Sequence, residues 1–205
     1  MNQFILKRCM DVLVSGLLLI IAAPLLALIA IAIRLTSKGP ALFRQMRAGK
    51  DGACFSILKF RTMMQNAPDL RNADNSTFNS NNDPRVTKIG QVLRKTSCDE
   101  LPQLINVLRG EMSIVGPRPD LPDQVSTYRI EDRQRLLVKP GITGWAQIHG
   151  RNNLSVERRR ELDIEYVRKH TLRMDMRIIL HTIPMVLLGQ GVYIERSVKR
   201  SGGSV

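Results

Sequence analysis

A mainly helical α+β fold with a membrane-inserted N-terminal helix is predicted by three observations. Residues 12–33 carry no charged side chain, and these 22 residues just suffice to cross a bilayer as a helix. Two short alternating segments flank Gly49-Lys50-Asp51-Gly52, a pattern that reads as one β-hairpin. Most other apolar residues recur at helical spacing between proline and glycine punctuation.

The apolar segment has Pro24 near its middle and basic residues at both ends: Lys7 and Arg8 before it, Arg34, Lys38, Arg44, Arg47 and Lys50 after it. Basic flanks stay cytoplasmic, which places both ends on one side of the bilayer. Two arrangements meet the sequence. One is a helix that dips into a leaflet and turns back at Pro24, where a backbone hydrogen bond is missing. The other is a spanning helix with a proline kink. No small-x-small cleavage pattern precedes Arg34 and Leu35, which argues against a signal peptide.

Beyond residue 33 the chain holds 29 basic and 17 acidic residues, a net charge of +12. Such a surface attracts nucleic acid, anionic headgroups or phosphorylated small molecules. With 5 Phe, 3 Tyr and 1 Trp, and no zinc-finger or RNA-recognition signature, the sequence argues against nucleic acid. Cys9, Cys54 and Cys98 lack CxxC spacing, and His149, His170 and His181 lie apart from them, which reads as reduced thiols. The length outside the membrane segment suits a single domain.

Along that domain, Ser37-Lys38-Gly39-Pro40 forms a turn, and residues 41–44 and 54–61 form the hairpin strands. Lys59 and Arg61 fall on the strand face opposite Leu58 and Phe60, where they either grip a phosphate together or simply meet solvent. Residues 65–84, rich in Asn, Asp, Ser and Pro, read as a loop. Residues 86–93 resume helical spacing and end at Arg94-Lys95. Pro102 and Gly110 bound the next helix, which puts Asp99 and Glu100 at its N-terminus as capping acids or as functional groups. Two segments punctuated by Pro and Gly, residues 113–119 and 139–152, present Arg118 and Arg151 on stiff loops that match neither a Walker loop nor a Rossmann fingerprint. Residues 157–170 form a surface helix with Leu162 and Tyr166 on one face. Residues 172–188 are basic and amphipathic, broken by Pro184, and suit either the membrane interface or the domain core. The SGGSV tail, residues 201–205, reads as disordered.

Taken together, the chain resembles the small monotopic phosphoglycosyl transferases, the bacterial sugar transferase family. Five features carry the resemblance in order: the basic-flanked segment with its proline, LKFRTM at 58–63, SCDELPQLINVLRGEMSIVGPRP at 97–119, KPGITGWAQIHGRN at 139–152 and ELDIEYV at 161–167. The fold it implies is α+β and mainly helical. Residues 1–36 would be a re-entrant membrane helix hairpin, with Pro24, Lys7 and Arg8 setting the re-entrance. Residues 37–205 would be a cytoplasmic domain with a short β-hairpin and interfacial amphipathic helices. Ala23 precedes Pro24 where the family often has a small polar residue such as Ser, a departure that removes a possible side-chain bond to the backbone.

The activity implied is transfer of a sugar 1-phosphate from a UDP-sugar to polyprenyl (undecaprenyl) phosphate with release of UMP. By this resemblance Asp99 is the nucleophile and the contact for Mg2+, and Glu100 is its partner. Lys59, Arg61, Arg94, Arg118 and Arg151 bind phosphates, while Gln147 and Trp145 help shape the nucleotide pocket. The expected partners are membrane lipids and these two substrates, not nucleic acid, and the expected location is the cytoplasmic face of the bacterial inner membrane. A non-enzymatic, membrane-tethered basic protein also explains the charge and the anchor, but not an acidic pair set among basic motifs. No D-x-D occurs, which argues against a metal-dependent glycosyltransferase of that type.

Overall fold

A computed structural model describes residues 3–70, 78, 80 and 83–188. Half of the 65–84 loop and the whole 201–205 tail lie outside the described residues.

Helix α1, Gln3–Thr36, is a single helix long and apolar enough to cross a membrane. The chain stays helical through Pro24 instead of parting into two half-helices. One proline costs one intrahelical bond, and the flanking turns keep theirs. The helix has two faces. Leu13, Leu17, Ile20, Ile21, Leu28 and Ile31 are exposed, whereas Asp11, Ser15, Ile29 and Ile33 are buried. The buried positions follow the spacing of one helical stripe, so the same side of α1 meets the domain near both ends.

The expected hairpin forms, with a longer first strand than the sequence indicated. Strand β1, Leu42–Ala48, pairs antiparallel with β2, Cys54–Phe60, in a register from Leu42 opposite Phe60 to Ala48 opposite Cys54. Asp51, at φ 56°, turns the connection. Strand β2 is covered on both sides: Phe55 and Ile57 enter one apolar core and Phe60 another. Lys59 and Arg61 share the face of Phe55 and Ile57, so the solvent-facing alternative for these two cations does not hold.

Helix α2, Lys88–Lys95, starts two residues later than expected because the Thr87 side chain caps it, accepting from the Gly90 N–H. Helix α3, Gln103–Arg109, follows Pro102 and ends at Gly110, whose φ of 82° is the left-handed conformation that suits glycine. Next come β3, Ser113–Val115, the short helix α4, Pro122–Ser126, a 3-10 stretch, Glu131–Leu137, and β4, Gly141–Thr143. Strands β3 and β4 pair in parallel, where the sequence suggested only loops. Runs of three residues are too short for periodicity to reveal. Their closeness depends on glycine, since a Cβ on Gly141 would lie 2.1 Å from the Gly116 nitrogen.

The chain ends in α5, Trp145–Ile148, α6, Val156–Lys169, and α7, Leu172–Leu187. Pro184 sits inside α7 without breaking it. Of this last helix, Ile178 is buried in the main core, while Met176, Leu180 and Ile183 are exposed. The main core joins Phe55, Ile57, Leu104, Val107, Met112, Val115, Tyr166 and Ile178, with Val14 and Leu19 of α1 packed against it. A second core joins Ile29 and Ile33 of α1 to Phe60 and Leu93.

Asn106 stitches α3 to β2. Fully buried, it accepts from the Leu58 N–H at 2.9 Å and donates to the Ser56 carbonyl at 2.8 Å and to Glu111 Oε2 at 2.6 Å. Asn106→Leu leaves the Leu58 amide, the Ser56 carbonyl and a carboxylate without this partner, and is expected to cost about 3 kcal/mol in a denaturant titration.

Candidate active site

Four segments, β2, α2, the loop after β3 and the turn at Arg151, converge on Asp99 and Glu100. The two acids lie in a 3-10 turn, Cys98–Glu100, just ahead of α3 and not in its first turn, because Pro102 caps that helix two residues further on. Ser97 opens the turn in the left-handed conformation at φ 56°, uncommon for a residue with a side chain. Such local strain often accompanies functional geometry.

The two carboxylates differ. Glu100 Oε1 accepts from Lys59 Nζ at 2.8 Å and from Arg118 Nη2 at 2.7 Å. Burial pushes its pKa up, but the charges and hydrogen bonds of Arg118 and Lys59 outweigh burial and hold it well below the usual carboxylate range. Asp99 accepts no hydrogen bond from any described residue. Burial, then the neighbouring Glu100 charge, pushes its pKa up to about 6, against the pull of Lys59, Arg118 and Arg94. Lys59 is itself lowered by burial, with Glu100 opposing.

Lys59 reaches the dyad from β2 and Arg118 from the loop after β3. Arg94 of α2 is steered by Thr62, its Nε donating to Oγ1 at 3.0 Å, and its charge is felt by Asp99. Arg151, with a φ of 50°, donates from Nη2 to Ser97 Oγ at 3.2 Å at the start of the acidic turn. Four expected cations therefore surround the pair.

The remaining expected residues are placed elsewhere. Arg61 donates to the carbonyls of Pro40, Ser37, Gly39 and Met63, so its guanidinium ties down the exit of α1 instead of joining Lys59 on a phosphate. Gln147 is buried in α5, and neither atom of its carboxamide finds a partner among the described residues. Trp145 packs against the main core, meets the His149 ring in a tilted contact and donates to Glu165 at 3.3 Å. Lys7 and Arg8, read from sequence as topology signals, have protein partners. Lys7 Nζ donates to Asp175 at 2.7 Å and to the Val115 carbonyl at 3.1 Å. Arg8 caps the C-terminal end of α3 through the Val107 and Leu108 carbonyls at 2.6 and 2.8 Å.

Against this geometry stand the known proteins. A sequence model of the bacterial sugar transferase family matches residues 1–189. The chain belongs to the bacterial sugar transferase family. One relative is the UDP-glucose:undecaprenyl-phosphate glucose-1-phosphate transferase of Escherichia coli, 44% identical over 197 residues that cover 92% of this chain and 42% of that protein. The protein of the same description from Caulobacter vibrioides is 45% identical over 197 residues, covering 91% of this chain and 72% of its own. The exopolysaccharide production protein ExoY of Rhizobium meliloti is 41% identical over 198 residues, covering 91% and 88%. The chain spans about four tenths of the length of some of the curated relatives it matches.

Several residues that hold the candidate site of this family member were not singled out in its sequence. Asp11 of α1 accepts from Ser113 Oγ at 3.0 Å and from the Ile114 N–H at 2.9 Å. Arg135, Asp120, Tyr128 and Asp163 form a buried cluster behind Arg118. The available signal was Asp163 on the same helix as the apolar Leu162 and Tyr166, a charge where the helix turns inward.

Proposed function

We propose that this chain transfers a sugar 1-phosphate from a UDP-sugar to polyprenyl phosphate, releasing UMP, through a phosphosugar ester of Asp99. The observation that carries this reading is the asymmetry of the dyad: Glu100 is held by two cations, while Asp99 stands free among basic groups. A carboxylate oxygen of Asp99 attacks the phosphorus that bears the sugar, and the bond to the UMP oxygen breaks with its electron pair leaving on UMP. An oxygen of polyprenyl phosphate then attacks the same phosphorus. The acyl phosphate bond breaks, and Asp99 is regenerated as a carboxylate. Lys59, Arg94, Arg118 and Arg151 offset the negative charge that gathers when an anion approaches a diphosphate.

The donor set fits a magnesium ion held mainly by substrate. No cluster of three acidic, His or Cys residues exists among the described residues, and Mg2+ commonly takes one or two carboxylates with phosphate oxygens and water. Asp99 would be that carboxylate, and the ion would supply charge neutralisation of the diphosphate.

We further assign the protein to the cytoplasmic face of the bacterial inner membrane, with α1 entering and leaving by the same leaflet. In support, α1 rests on one domain near both ends, through Lys7, Arg8 and Asp11 on one side of Pro24 and Ile29 and Ile33 on the other. A helix crossing the bilayer would carry one of those ends away from the domain. The exposed apolar residues of α1 and α7 would then meet lipid, with α7 tied to α1 by the Lys7–Asp175 pair.

The test is UMP release by detergent-solubilised protein given a panel of UDP-sugars with magnesium, with and without undecaprenyl phosphate. UDP-glucose is the first candidate, since relatives carry that substrate in their names. Release that needs both one UDP-sugar and the lipid is the expected result. Release from none of the panel by folded protein would refute the proposal.

A further inference from the structure

Arg135 is almost wholly buried, yet no step above uses it. Its guanidinium reaches three parts of the chain. Nη2 and Nε hold Asp163 of α6 at 2.7 and 2.9 Å, and Nη1 holds Asp120 at 2.6 Å and the Tyr128 hydroxyl. Nη2 also donates to the carbonyl of Arg118 at 3.2 Å. Tyr128 in turn donates to Asp120 at 2.5 Å.

The segment so held is the one that presents Arg118, and its backbone is fixed residue by residue. The Pro117 carbonyl accepts from the Gly141 N–H at 2.9 Å, that of Arg118 from Arg135, that of Pro119 from Arg47 at 3.2 Å and that of Asp120 from the Ala48 N–H at 3.0 Å. Four consecutive carbonyls have donors, and prolines on either side of Arg118 restrict the chain further. A buried arginine between carboxylates is weak evidence for stability, because desolvation offsets much of the attraction. What the planar fork supplies is direction: it can hold Asp163, Asp120 and the Arg118 carbonyl at once, which a single ammonium cannot.

We propose that Arg135 is a positioning residue for the nucleotide-sugar site, acting through Arg118. Asp163 and Asp120 fix its fork, the fork fixes the Arg118 backbone, and the Arg118 side chain then stands against Glu100 ready to take a diphosphate oxygen. The inference rests on the reading of Arg118 as a diphosphate-binding group.

Steady-state kinetics on the full chain, with UDP-glucose and undecaprenyl phosphate as probes, test it through Arg135→Lys, Arg118→Ala and the double variant. Arg135→Lys is expected to raise the KM for UDP-glucose about tenfold, with kcat and the KM for the lipid within about twofold of the parent. Arg118→Ala should raise the same KM by more, and the double variant no further than Arg118→Ala alone, since the two act as one unit. Partial unfolding would instead lower kcat by reducing the active fraction and leave KM in place. If Arg135→Lys does not fold, Asp120→Asn loosens the same fork and should raise that KM about threefold. A KM for UDP-glucose unchanged in the folded variant, or effects that multiply in the double variant, would overturn the inference. An Arg118→Ala enzyme that matches the parent would instead refute the reading of Arg118 itself.

Discussion

Asp99→Asn should abolish transfer, with a loss of at least about 10⁴-fold in kcat, because the amide cannot form the acyl phosphate on which both proposed half-reactions depend. The replacement is close in shape and disturbs little, since Asp99 accepts no hydrogen bond from any described residue. It also removes a charge that burial and Glu100 both disfavour. The thermal midpoint is therefore expected to hold or rise slightly while turnover vanishes. A second readout separates chemistry from binding. Without lipid acceptor, the parent enzyme incubated with sugar-labelled UDP-glucose should retain label on the protein, and Asp99→Asn should retain none. Label retained by the variant would refute the covalent route.

Glu100→Gln is expected to lower kcat/KM by about 10²-fold, close to the 3 kcal/mol that a charge-assisted hydrogen bond can contribute. Gln still offers an oxygen to Lys59 or Arg118, but it cannot neutralise two cations that lie 2.8 and 2.7 Å from the native carboxylate. Lys59 would be left with an unbalanced charge in a mostly buried position, so it should swing toward Asp99 and compete with substrate for that carboxylate. A measured loss below about threefold would show that Glu100 does not organise the cations.

Much of this arrangement was legible in the chain. Pro102 and Gly110 bounded α3 correctly because their constraints are local, and the hairpin announced itself through alternation around Gly49 to Gly52. Asp99, Glu100, Lys59, Arg94, Arg118 and Arg151 came together as expected. Arg61 did not, although it stands two residues from Lys59 on the same strand face. Its destination was set by the carbonyls at the end of α1, a tertiary fact with no periodic trace. The parallel pairing of Ser113–Val115 with Gly141–Thr143 was hidden for the same reason, as was the Arg135 cluster, whose members are scattered from residue 120 to residue 163.

Helix α1 is more than an apolar segment. Asp11 is bonded to β3, Arg8 to the end of α3 and Lys7 to the carbonyl of Val115, one residue before the loop that leads to Arg118. If α1 lies in the membrane as proposed, this bracing makes the height of Asp99 above the hydrocarbon a property of the fold and not of a linker. In that proposed arrangement the protein would work as a depth gauge that meets the acceptor phosphate at one level of the headgroup layer. Swapping α1 for an unrelated membrane helix would preserve attachment and lose the calibration.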